Sequence, residues 1–256
     1  MESIIKVKNL RKSYDKKMVL DGIDFEIYPG EIIGYIGPNG AGKSTTVKIM
    51  LGIIGNYSGD IEIMGQKIQD SDYEYKKYIG YVPETASLYE SLSAKEYLSF
   101  VGGLHDVPDK AVEEKAYELC RLFGLEDKYN MRLSSYSKGM KQKILFIAAI
   151  LHDPKIIFLD EPLSGIDANS IAVIKELMNK LAQSGKTIFY SSHIMDVVEK
   201  ISSRIILINE GRIAADGTID EIREEKSESL ESLFTKITGF DDASEIANNI
   251  MGVLNR

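Results

Sequence analysis

Gly37-Pro38-Asn39-Gly40-Ala41-Gly42-Lys43-Ser44, with the apolar run 31–36 before it and Thr45-Thr46-Val47-Lys48-Ile49-Met50-Leu51 after it, decides the fold of this chain. The octapeptide fits G-x-x-x-x-G-K-[ST], a glycine-rich loop whose backbone N–H groups close around phosphate oxygens. The run before it has the length and apolar character of a buried strand, and the stretch after it has helical spacing. Strand, loop and helix follow in the order that points a helix N-terminus at an anion. Gly37, Pro38, Asn39, Gly40, Ala41, Gly42 and Thr45 are the expected cradle. Lys43 is expected to reach the β- and γ-phosphates, and the Ser44 hydroxyl to ligate Mg²⁺.

A second chemical element lies at Ile156-Ile157-Phe158-Leu159-Asp160-Glu161, an apolar strand ending in two carboxylates. Asp160 is placed to hold Mg²⁺ opposite Ser44, and Glu161 to polarise an attacking water. Strand signals recur at 187–190 and 204–208, with a helix expected over 172–181. Before the loop, Ile5, Val7, Leu10, Phe25 and Ile27 suggest antiparallel strands, as does 60–64. Between 89 and 152 the spacing turns helical, with Gly124 as a helix stop. Alternating strands and helices predict an α/β fold: a parallel sheet core with an N-terminal antiparallel β-subdomain and an inserted helical subdomain.

These motifs resemble the ATP-binding cassette (ABC) transporter family over about residues 4–217. Leu133-Ser134-Ser135-Tyr136-Ser137-Lys138-Gly139-Met140-Lys141-Gln142 is similar to the family signature, with Ser137 and Gly139 matching and Tyr136, Lys138 and Met140 departing from it. That form is similar to cassettes of bacterial export systems whose permease is a separate chain. The resemblance implies a P-loop NTPase core, ATP and Mg²⁺ as ligands, and a head-to-tail dimer in which Ser137 and Gly139 cap the nucleotide of a second ABC subunit, an identical copy or a close paralogue. It implies that Tyr14 stacks on adenine, that Ser164 to Asp167 communicates across the dimer, and that His193 contacts the γ-phosphate. Glu84 stands where the family usually has Gln, as a further Mg²⁺ ligand, and the segment from it to about Leu98 would dock a transmembrane permease. The implied function is an ATPase subunit powering export; an ATP-driven switch or regulator not engaged in transport is the alternative, kept open by Glu84.

Composition sets the outer bounds. The 256 residues carry 31 Lys+Arg against 39 Asp+Glu, a formal net charge of −8, which argues against nucleic acid as a partner. The DNA-repair and translation types of cassette usually add coiled-coil insertions or a second cassette, and neither pattern is present. No apolar run approaches the roughly 18–20 residues of a membrane span, and the N-terminus has no apolar signal core. A cytoplasmic chain, peripheral on the inner face of the cell membrane, is expected. The single cysteine, Cys120, is expected in the core, and His105 and His152 are assigned no role.

Residues 218–245 hold nine acids against three bases, six of the eight net negative charges. The expected organisation is therefore an ABC ATPase domain at 1–217, its helical subdomain at about 85–155, and an acidic C-terminal helical extension at 218–256. Within the extension Ile246, Ile250 and Val253 or Leu254 form an amphipathic stripe, expected to pack back on the core.

Overall fold

The computed structural model describes residues 2–15, 17–68, 73–192, 195–223, 229–239 and 243–254. An antiparallel sheet, ordered β2-β1-β4-β5, is built from β1 (Ile5–Tyr14), β2 (Lys17–Ile27), β4 (Ser58–Ile63) and β5 (Gln66–Lys67). A six-stranded sheet, ordered β10-β9-β3-β8-β7-β6, holds β3 (Ile32–Ile36), β6 (Ile79–Val82), β7 (Ile156–Asp160), β8 (Thr187–Ser191), β9 (Arg204–Asn209) and β10 (Arg212–Gly217). Its strands run parallel except β10, which pairs antiparallel with β9.

The central strands β3, β7 and β8 are buried at every residue. A parallel strand covered on both faces needs apolar side chains at odd and even positions alike, hence the unbroken apolar runs. The alternation divides them between two cores. Tyr35, Phe158 and Phe189 face the antiparallel sheet, while Ile36, Leu159 and Tyr190 face the helices. In the first core Phe189 packs against Tyr35, Phe158 and Phe25 at centroid separations of 4.9, 5.5 and 6.2 Å. Phe158→Ala should therefore cost about 3–5 kcal/mol of unfolding free energy, since the side chain is fully buried and its site is walled by other rings. Denaturant titration, read as a fall in midpoint at unchanged slope, measures this.

The helices are α1 (Lys43–Met50), α2 (Ala94–Leu104), α3 (Asp109–Leu122), α4 (Lys138–Leu151), α5 (Ala168–Gln183), α6 (Met195–Ile201), α7 (Ile219–Ile222), α8 (Leu230–Thr238) and α9 (Ala243–Leu254). Helices α2, α3 and α4 fall between β6 and β7 and form the inserted helical subdomain, with the 137–143 segment at its α4 end. Helix α3 stops at Phe123 and Gly124 follows at φ 69°, as a C-terminal glycine should. Cys120 is buried in this packing, and burial pushes its thiol up to about 12, consistent with a core residue. His105 and His152 stack at 3.6 Å, and His152 is pushed down to about 4 by burial and then by His105.

One expectation is corrected. The stripe on α9 does not pack on the core: Ile250, Val253 and Leu254 are 54%, 68% and 72% exposed. The side chain of Ile246 lies outside the described residues. Periodicity creates an apolar face on a helix, but covering it requires a neighbour, and burial beyond β10 falls instead to Leu230 and Leu233 of α8, which join the core around α6.

Candidate nucleotide site

Strand β3 delivers the chain to the loop, and the close packing there admits only glycine at two points. A Cβ on Gly37 would stand 2.3 Å from the Ile208 carbonyl oxygen, and one on Gly42 would stand 2.4 Å from Leu20 Cδ2 at φ 111°. Gly42 is the N-cap of α1 and has no side chain to satisfy the helix donors. The N–H groups of the first turn are thus directed at whatever anion the loop encloses.

Lys43 Nζ donates to the carbonyl oxygens of Gly37 and Pro38, at 2.6 and 3.2 Å. Burial lowers its pKa, while Glu161, Asp160 and Glu84, in that order, act to keep it charged. Ser44 Oγ donates to Asp160 Oδ1 at 3.3 Å. A partner that sequence reasoning missed completes this corner: Ser191 Oγ also donates to Asp160 Oδ1. Ser191 stands directly opposite Asp160 in the β7–β8 register. Asp160 is 1% exposed, and its Oδ2 has no hydrogen-bond partner. An orphaned buried carboxylate oxygen beside a hydroxyl is a donor set suited to a hard divalent cation such as Mg²⁺.

Glu161 begins the following loop at φ 48°, its N–H donating to the Ser191 carbonyl oxygen at 3.0 Å. Ser192 Oγ donates to Glu161 Oε2 at 3.4 Å. A cavity of about 370 Å³ brings together Tyr14, Asn39, Gly40, Gly42, Lys43, Ser44, Thr45, Glu84, Asp160 and Glu161, with Lys17 and Val19 as added walls. Tyr14 is 44% exposed with the Lys12 ammonium 4.9 Å from its ring centre, leaving aromatic surface for a base. Gly37, Pro38 and Ala41 lie in the loop but do not line this cavity, and Glu84 stands at its exposed rim.

Ser137 and Gly139 are not brought to it. They sit at the start of α4, where the Ser137 hydroxyl accepts from the Met140 N–H at 3.3 Å, and neither lines the cavity. A neighbouring cavity of about 630 Å³ spans the gap from Asn39, Glu84 and Glu161 to Lys138, Lys141 and Ser164. His193 lies outside the described residues.

This combination of a phosphate-cradling loop, a carboxylate pair at the adjoining strand end and an inserted helical layer defines a P-loop ATPase. The family model "ABC transporter" matches residues 20–164, more than half of the chain, and the chain belongs to that family. It is 32% identical to the ABC-type transporter ATP-binding protein EcsA of Bacillus subtilis, over 95% of this chain and all of that one. It is 36% identical to the linearmycin resistance ATP-binding protein LnrL of the same organism, over 84% of this chain and 69% of that one. Among solved structures it is similar to the ATP-binding cassette MJ0796 in a dimeric post-hydrolysis state with ADP and Pi. The TM-score is 0.78 at 25% identity, covering 84% of this chain and 98% of that one. The chain is an ATP-binding, ATP-hydrolysing subunit of an ABC transporter. Such subunits dimerise and work with transmembrane components; no helix among the described residues is long and apolar enough to cross a membrane.

Proposed function

We propose that this chain is the ATPase half of an exporter, docked from the cytoplasmic side on a separately encoded permease, and that it works as a head-to-tail dimer. Tyr14 supports the adenine and the 37–45 loop cradles the phosphates. Ser44, Asp160 and Glu84 would hold Mg²⁺, which when bound neutralises phosphate charge. Glu161 draws a proton from the attacking water, and His193 steadies the γ-phosphate. Ser137 and Gly139 cap the nucleotide of the opposite subunit, a second copy or a close paralogue.

The observation that carries this reading is the separation of Ser137 and Gly139 from the cavity holding Lys43 and Glu161. A site that needs both sets must be assembled from two chains. Export is supported by the form of the 136–142 segment and by the resistance role in the name of the relative LnrL. Docking beside the segment from Glu84 to Leu98 is supported by a groove of about 350 Å³ between β6, α2 and α4, lined by Leu51, Ile53, Tyr97, Val101, Leu145 and Ala148. We place the ATPase domain at 1–217, its helical part at about 85–155 and an acidic extension at 218–256.

The dimer requirement has a direct measurement. ATP turnover per subunit should rise with protein concentration and level off as the dimer saturates, and below the dimer dissociation constant it should approach zero. Turnover per subunit that is constant under dilution while sedimentation shows a monomer would overturn the composite site. Identifying the integral membrane protein that co-purifies with the tagged chain, and the side to which it moves cargo, tests the exporter reading.

A further inference from the structure

Lys138 departs from the family signature, and the function described above gives it no part. It is the first residue of the fourteen-residue helix α4, exposed, in a first turn without any acidic residue. A cation at a helix N-terminus opposes the helix dipole, so the dipole does not favour a lysine at this position. Its side chain has a partner in the loop after the carboxylates: Lys138 Nζ donates to Ser164 Oγ at 2.9 Å.

That bond is the first of three contacts that run in step between α4 and the loop after the carboxylates. Next, the backbones of Gly139 and Gly165 are in such close approach that a Cβ on Gly139 would meet the Gly165 carbonyl oxygen at 2.3 Å. Then Lys143 Nζ lies 3.0 Å from Asp167 Oδ2, with the lysine side chain only 13% exposed. Asp167 is also the N-cap of α5, accepting from the Ser170 N–H at 2.9 Å. The other end of the same loop is Glu161, held through its N–H to Ser191 and tied by the Ser164 N–H to its own carbonyl oxygen at 3.4 Å. Leu163 and Ile166 peg the loop into the core, leaving Ser164 as the polar residue turned toward α4.

We propose that Lys138 is a positioning residue that, by holding Ser164, sets the placement of Glu161 and so links the anion-binding end of α4 to the carboxylate of the same chain. An ammonium has three protons, and Ser164 takes one. Lys138 also lines the cavity of about 630 Å³ that reaches Glu161, so the others remain available to a group bound there. In the head-to-tail dimer the end of α4 meets the partner's nucleotide while Glu161 serves the chain's own. Lys138 therefore carries the state of one site to the other within a single subunit. This inference rests on the reading that Glu161 polarises the attacking water.

The test is a double-mutant cycle on steady-state ATP hydrolysis by the full-length protein. Lys138→Met is expected to lower kcat about tenfold, with KM for ATP within about twofold of the parent and the Hill coefficient falling toward one. Lys138→Arg, which keeps a donor within reach of Ser164, should recover most of the loss. Ser164→Ala should reproduce the Lys138→Met phenotype, and the double variant should be no worse than either single one. Parental kcat in Lys138→Met, a loss confined to KM, or losses that multiply in the double variant would each overturn the linkage. If Lys138→Met lowers the melting temperature, the Ser164→Ala comparison, which retains the lysine, decides between the same outcomes. Glu161→Gln separates the two levels. If that variant hydrolyses ATP normally, the reading of Glu161 fails; if it is inactive while Lys138→Met is normal, only the linkage fails.

Discussion

Glu161→Gln is expected to lower ATP turnover by at least about a hundredfold while leaving nucleotide affinity nearly unchanged, and to accumulate an ATP-bound dimer. The geometry explains why the two effects separate. The residue's backbone is fixed by its N–H bond to the Ser191 carbonyl oxygen, which an amide side chain does not disturb. The Ser192 hydroxyl that donates to Oε2 finds an acceptor in the same place in the glutamine carbonyl. Shape and hydrogen bonding persist, and only the ability to take a proton is removed. The dimer assembled on ATP then has no route to ADP and stays closed. Single-turnover phosphate release, together with size-exclusion chromatography in ATP, reads both effects. Parental turnover in this variant would remove Glu161 from the role of base.

Lys43→Ala is expected to act one step earlier, weakening ATP binding by about a hundredfold or more. The ammonium spans the loop between Gly37 and Pro38 and faces Asp160, Glu161 and Glu84. Without it the cavity presents three carboxylates to a triphosphate, and the lysine of the loop itself no longer opposes them. Partial burial makes that imbalance more costly than it would be at an open surface. Lys43→Arg should not restore affinity, because a wide planar fork does not fit where a single ammonium bridges two carbonyl oxygens of one turn. Equilibrium titration with a fluorescent ATP analogue measures the change. Unchanged affinity in the alanine variant would place the phosphates elsewhere.

The features legible in the sequence were those whose chemistry is local. The strand, loop and helix around Lys43 occupy the nineteen consecutive residues 32–50, and each part constrains the next. The apolar run ending at Asp160 was legible for the same reason. The partnership of Asp160 with Ser191 was not, because it arises from the register of two parallel strands whose intervening chain says nothing about their offset. The antiparallel sheet was visible only in fragments. Irregular register between Val7 and Leu10 and again between Lys12 and Ser13 breaks the two-residue alternation that marks a strand. The stripe on α9 was legible as a face, yet nothing in a helical period states what will cover it.

Helix α8 packs its Leu230 and Leu233 into the apolar side of α6, beside Val197, Val198 and Ile201. The chain beyond β10 is therefore not a tag that can be cut away at the end of the last strand. A version ending at Gly217 would leave an apolar strip on α6 uncovered. A version carried past Leu233 should therefore melt at a higher temperature than one ending at Gly217, because the extension lends Leu230 and Leu233 to the core of the ATPase domain.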